Sequence, residues 1–136
     1  MLFMGELNLL GIIVSVVANT ILGGVWYTVL FGKQYAEALG RKYDSTEKPG
    51  PLFIFGPMVC GLALIIALNI ISVALGVSTL MDAVSLGLIS GIGLVASTSV
   101  NTAINPNIPR PLFYGLISGS FFVVSTTLIS VILVLI

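Results

Sequence analysis

Histidine does not occur in this 136-residue chain, and cysteine occurs once. The first absence removes the commonest general base and metal ligand, together with the usual axial ligand of haem. The second leaves Cys60 nothing to pair with, so no intrachain disulfide can form. Charge is almost as scarce. Five basic and five acidic residues make up 7% of the chain, against ~25% in an ordinary soluble domain. At net charge zero and without a basic arm, nucleic-acid binding lacks its electrostatic footprint. No cofactor is expected. Catalysis would need Ser, Tyr, Lys, Asp or Glu to act without histidine, and no such nucleophile stands beside a plausible base, so a non-enzymatic protein is expected.

What the chain has instead is hydrocarbon. Hydrophobic residues make up 57% of it, gathered in four stretches at residues 7–30, 52–75, 83–104 and 112–136. Each is long enough to cross a core of ~30 Å at ~1.5 Å per helical residue. The ten charges fall outside these stretches or at their margins. The expected fold is an all-α membrane protein, a single domain of four transmembrane helices in an up-down-up-down bundle. The connections at 76–82 and 105–111 are short enough to predict neighbouring antiparallel hairpins. The residues from Met1 to Glu6 carry no Lys or Arg and lead into an apolar run too long for a signal peptide, so the first helix is read as retained.

Orientation follows from Lys and Arg. Lys33, Arg41, Lys42 and Lys48 lie in the first connection and Arg110 in the third, which places both loops in the cytoplasm and both termini outside. Aromatic residues, among them Trp26, Tyr27, Tyr35, Phe113 and Tyr114, gather towards the same interface. Lys33, Glu37 and Arg41 repeat at i,i+4, which suggests a short helix lying on the membrane surface. Arg110, the only charge in a loop with three prolines, reads as a topogenic anchor that contacts lipid phosphate. Glu6 and Asp82 are read as helix N-terminal caps.

Inside the spans, polarity is neutral. Asn19 and Ser97 lie near the midpoints of the first and third helices, level with Thr126 or Thr127 in the fourth, and together could form a hydrogen-bonded layer. Ser90, Ser97 and Asn101 repeat at i, i+7, i+11 and predict a polar stripe down one face of the third helix. Small residues give a second pattern. Gly11, Ser15, Asn19 and Gly23 recur every fourth residue, with Gly87 and Gly91 in the third helix and Gly115 and Gly119 in the fourth. Such rows let helix backbones approach closely, and the row on the first helix predicts a groove that a second copy fills.

At Trp26-Tyr27 followed by Leu30-Phe31-Gly32-Lys33, and at Asn101 followed by Arg110-Pro111 and Phe113, the chain resembles the small membrane proteins grouped as domain of unknown function 1761. Where that family typically continues with Ser-Pro, this chain has Thr28-Val29. The resemblance implies a four-helix bundle with no known activity, and directs attention to Trp26, Tyr27, Gly32 and Lys33 as an interfacial feature. Two functions fit these observations. One is a helix-packing bundle among membrane lipid, working as a homo-oligomer or as a subunit of a membrane complex. The other is a pore or carrier for a small neutral or amphiphilic solute, lined by the polar face of the third helix.

Overall fold

A computed structural model describes residues 6–136; the first five residues of the retained-helix reading lie outside them. Five helices account for the described chain: α1 at Leu9–Leu30, α2 at Gly32–Ala38, α3 at Pro51–Ala74, α4 at Leu80–Ala103 and α5 at Pro111–Leu135. All but α2 are long and apolar enough to cross a membrane.

The ends have local causes. Pro51 and Pro111 open α3 and α5 at the position where a missing N–H costs nothing. Asn8 caps α1 by accepting from the Gly11 N–H at 2.9 Å, and Thr79 caps α4 by accepting from the Asp82 N–H at 3.1 Å. These replace the expected caps. A cap needs a short acceptor just before the first turn, whereas Asp82 already lies within that turn and Glu6 precedes Asn8. The Asp82 carboxylate still sits at the positive end of the α4 dipole. Both α2 and α3 end in Schellman turns, with Gly40 and Gly76 at φ +70 and +65. The Arg41 N–H donates to the Ala36 carbonyl and the Val77 N–H to the Ser72 carbonyl. Arg41 therefore leaves the helix axis, and the expected Lys33, Glu37, Arg41 row does not form.

α5 is the centre of the bundle. It packs along α4 on one side and along α1 and α3 on the other, with α2 against its N-terminal end. Half of its most apolar window is buried, against 28% for α4 and 17% for each of α1 and α3. Asn8, entering α1, meets Asn69 near the end of α3 and Leu133 near the end of α5, so α1 runs antiparallel to both. Ile12, Ile65, Leu68, Ile129 and Leu133 fill the space between these three helices.

One expected hairpin is not built. α4 and α5 pack closely, but α3 and α4 share no packed face. The reason is reach: the five residues 75–79 can span up to ~17 Å, about twice the 8–10 Å between packed axes. A short loop keeps two helix ends near each other without making their sides touch.

Candidate functional site

Two small-residue seams run along α5. On one, Gly87 and Gly91 of α4 lie against the α5 backbone. A Cβ at Gly87 would collide with Thr127, and one at Gly91 with the Thr126 hydroxyl and Val123. Further along the same seam Gly115 and Gly119 receive Val100, each 3.3 Å from where a Cβ would stand. On the other seam Gly11 and Ser15 are buried, and Phe121 lies 3.6 Å from the position of a Gly23 Cβ. The row on α1 thus faces helices of its own chain. The groove expected to take a second copy is already filled, because the central α5 occupies it.

Close approach lets polar groups bond across the seams. The Ser125 hydroxyl donates to Asn19 Oδ1 at 2.5 Å, and the Thr126 hydroxyl donates to the Gly87 carbonyl at 2.7 Å. Asn19 and Thr126 do lie at similar depth, yet they serve different seams, since adjacent residues of α5 point ~100° apart. The layer expected from Asn19, Ser97 and Thr126 is therefore two separate bonds, and Ser97 belongs to neither. At the end of the bundle where α1 begins and α5 ends, the Asn8 N–H donates to Asn69 Oδ1 at 3.0 Å and Asn8 Nδ2 to the Leu133 carbonyl at 3.1 Å. Asn69 Nδ2 and the hydroxyls of Ser15 and Ser130 are buried without a protein partner. Ser130 lies one turn beyond Thr126 and so on the α4 side, whereas Ser15 follows the Asn19 face. Sequence reasoning passed over Asn69, Ser118, Ser125 and Ser130. Their polarity within apolar spans was legible in the sequence; the groups that meet them from other helices were not.

The stripe on α4 is broken. Ser90 is buried, while Ser97 and Asn101 are exposed. Between them Gly91–Ala96 forms a π-helical turn, with the Ser97 N–H reaching back to the Ile92 carbonyl. Such a turn inserts one residue into the helix and rotates the remainder of α4 by roughly 100°, so i and i+7 no longer share a face. Hydroxyls beyond the turn bond within their own helix. Ser97 donates to the Gly93 carbonyl at 2.7 Å, Thr98 to Leu94 at 2.6 Å and Thr102 to Thr98 at 2.9 Å.

A second π-turn, Val25–Leu30, closes α1. There Trp26 Nε1 donates to the Ile117 carbonyl and the Tyr27 hydroxyl to Ser118 Oγ, both at 3.0 Å. These rings were expected to anchor at the lipid boundary. They are half-buried instead, with their polar ends turned inward to α5, where the Phe121 ring packs against both at a tilt of 58°. The aromatic contacts continue from Tyr27 to Tyr35 and on to Tyr114, at centroid distances of 4.9 and 5.5 Å.

This series of rings holds α2 in place. Gly32, Ala36 and Ala38 are buried, so α2 packs on the bundle rather than lying free on a membrane surface. The Arg110 N–H donates to the Ala38 carbonyl at 3.2 Å. Its guanidinium pairs with Glu37 and covers the Phe113 ring at 4.5 Å. Lys33 is exposed. Burial, then the neighbouring Tyr114 and Tyr27, push the Tyr35 phenol well above the ordinary tyrosine range. In the exposed turn after α2, the Thr46 hydroxyl and N–H both donate to Asp44 and hold its carboxyl below the usual value.

Between the second half of α4 and α5 lies an open groove of about 550 Å³. Leu94, Thr98 and Thr102 form one wall and Tyr114 and Phe122 the other, with Asn105 at its end. Among the described residues, no three of Cys, Asp and Glu are grouped to hold a metal ion.

The family model described as "Protein of unknown function (DUF1761)" matches residues 10–134. No curated protein and no solved structure matches the chain.

Proposed function

Given that the chain belongs to the DUF1761 family, we propose that it is a non-enzymatic membrane bundle that works through its outer helix faces, as a homo-oligomer or as a subunit of a larger membrane complex. One contrast carries this reading. Three polar pairs inside the bundle bond helix to helix, Asn19 with Ser125, Thr126 with Gly87 and Tyr27 with Ser118, while Ser15, Ser130 and the Asn69 amide nitrogen are buried without a protein partner. Most of α1, α3 and α4 meanwhile remains uncovered. Interior bonds of this kind average ~0.6 kcal/mol and specify packing.

The basic residues support an orientation with residues 31–50 and 105–110 in the cytoplasm. Both loops lie at one end of the bundle, where Glu37 meets Arg110. The second reading, a pore or carrier, draws support only from the groove beside α4, which suits an amphiphile better than a polar solute.

Single-molecule photobleaching of the labelled full chain in native vesicles tests the main reading. Two or more copies per spot, or stable co-purification with another membrane protein, is the expected result. Single copies at every lipid-to-protein ratio, with no partner retained, would overturn it.

A further inference from the structure

The groove between α4 and α5 carries four polar residues on its α4 side, Thr98, Ser99, Thr102 and Asn105, and looks suited to a polar ligand until the hydrogen bonds of three of them are traced, which leave only the Ser99 hydroxyl without a bond inside the chain. The Thr98 hydroxyl is spent on the Leu94 carbonyl and the Thr102 hydroxyl on the Thr98 carbonyl. Asn105 Nδ2 donates to the Thr102 carbonyl at 2.8 Å, and its Oδ1 accepts from the Asn107 N–H at 2.8 Å. With their oxygens turned to the backbone, the two threonines present methyl groups. Opposite them stand the rings of Tyr114 and Phe122. A polar solute entering here would give up water and meet few donors or acceptors in return, at roughly 1–3 kcal/mol for each unpaired group. A hydrocarbon chain gives up nothing.

The groove is open along its side and lies within the two spans, so it faces the bilayer. Its volume falls in the usual range for sites that hold a small molecule, ~300–1,000 Å³. It runs out at Asn105 and Ile108, in the loop that carries Arg110. That end of the bundle holds all five basic residues and only three of the five acidic ones, Glu37, Asp44 and Glu47. An excess of positive charge at headgroup depth attracts anionic lipid.

We infer that this groove is a binding site for an anionic phospholipid, with one acyl chain between α4 and α5 and the headgroup phosphate at the loop that carries Arg110. The site requires the chain to stand in a bilayer and does not depend on its assembly with other copies.

The full chain, reconstituted in equal parts phosphatidylglycerol and phosphatidylcholine with matched acyl chains, is extracted gently and weighed by native mass spectrometry. One phosphatidylglycerol per chain should be retained, at least ten-fold in preference to phosphatidylcholine. Thr98→Trp, which fills the groove, should abolish retention, while Ile89→Trp on the exposed side of α4 should leave it unchanged. Arg110→Gln, which removes one of the five positive charges and frees the Glu37 carboxylate, should lower the preference between headgroups and keep the bound chain. Equal retention of the two lipids by the unaltered protein, or full retention by Thr98→Trp, would overturn the site. Because a substituted chain can fail to fold, the unaltered protein is also labelled with phosphatidylglycerol bearing a photoreactive acyl chain. Adducts should concentrate on Thr98, Thr102 and Phe122. Uniform labelling of the exposed faces of α1 and α3 would overturn the proposal, as would a disulfide-linked dimer formed readily by Thr98→Cys in a Cys60→Ser background, which would show a second copy filling the groove.

Discussion

The Thr126 hydroxyl reaches the Gly87 carbonyl, 2.7 Å away on another helix, because Gly87 carries no side chain to hold the two backbones apart. Thr126 also donates towards the Phe122 carbonyl in its own helix at 2.8 Å. With the Val123 carbonyl at 3.2 Å as well, one hydroxyl hydrogen faces three acceptors, so packing rather than the bond itself should dominate the energetics of this seam.

Gly87→Ala is therefore expected to destabilise more than Thr126→Val does. The added methyl meets Thr127 backbone that cannot move aside as a flexible side chain would, and overpacking of this kind costs about 1–3 kcal/mol. Removing the hydroxyl loses a bond of ~0.6 kcal/mol, at most ~2. Steric trapping or denaturant unfolding in bilayer discs gives both values; a larger loss for Thr126→Val would reverse the ranking.

The Asn19 and Ser125 pair on the opposite seam should be modest in energy and sensitive to charge. A double-mutant cycle of Asn19→Leu with Ser125→Ala is expected to give a coupling near ~0.6 kcal/mol, below ~2. Asn19→Asp should cost much more, since it places a carboxylate deep in an apolar span. A coupling indistinguishable from zero would mean that the two side chains do not bond in the membrane.

How much of this was readable depends on which physical rule governs each feature. The four spans, α2 and the all-helical class follow from hydrophobic run length and charge position, which are local properties. The glycine rows marked close packing but not their partners. Gly11, Ser15 and Gly23 could face a second copy until α5 is seen to occupy the space beside them. The α4 stripe was misread for a different reason. Spacing rules assume a continuous 3.6-residue period, and nothing in Gly91-Ile92-Gly93-Leu94-Val95-Ala96 announces the π-turn that rotates Ser97 away from Ser90. Asn69 and Ser125 were passed over because their importance lies in what meets them from other helices. The inward turn of Trp26 and Tyr27 is hidden in the same way: boundary aromatics ordinarily face headgroups, and only the position of Ile117 and Ser118 draws these inward.

At the α2 end, a pH effect should arise from Tyr35. Its pKa is raised chiefly by burial, so the docked helix disfavours the phenolate. For an acid shifted upward, the docked state is unaffected below the free tyrosine value of ~10 and loses stability as pH rises above it. Difference absorbance between the unaltered protein and Tyr35→Phe should isolate a phenol that ionises later than free tyrosine. A phenol at Tyr35 that titrates like the free amino acid would mean α2 is not packed as described.

The orientation is open to labelling in intact cells. In a Cys60→Ser background, Ser45→Cys should be protected from a membrane-impermeant thiol reagent and Ser78→Cys should react. Both positions are exposed and lie at opposite ends of the bundle, Ser45 in the loop after α2 and Ser78 between α3 and α4. The opposite pattern would invert the topology without touching the fold.

The small-residue row on α1 now gives the reverse of what its sequence suggested. Had it been an interface between copies, Gly11→Ile combined with Gly23→Ile would separate an oligomer and leave each bundle intact. The position of Gly11 argues otherwise. A Cβ there would strike the Asn8 side chain, which caps α1 and also ties it to α5 through the Leu133 carbonyl. At Gly23 a branched side chain would press on Phe121, a buried residue that packs against Trp26 and Tyr27. The double variant should therefore lose several kcal/mol of stability, on the scale of overpacking at two separate sites, and its copy number should not fall before it unfolds. Thermal unfolding in detergent beside photobleaching in vesicles separates the two outcomes. A folded monomer derived from an oligomeric parent would return the α1 face to the role of a contact between chains.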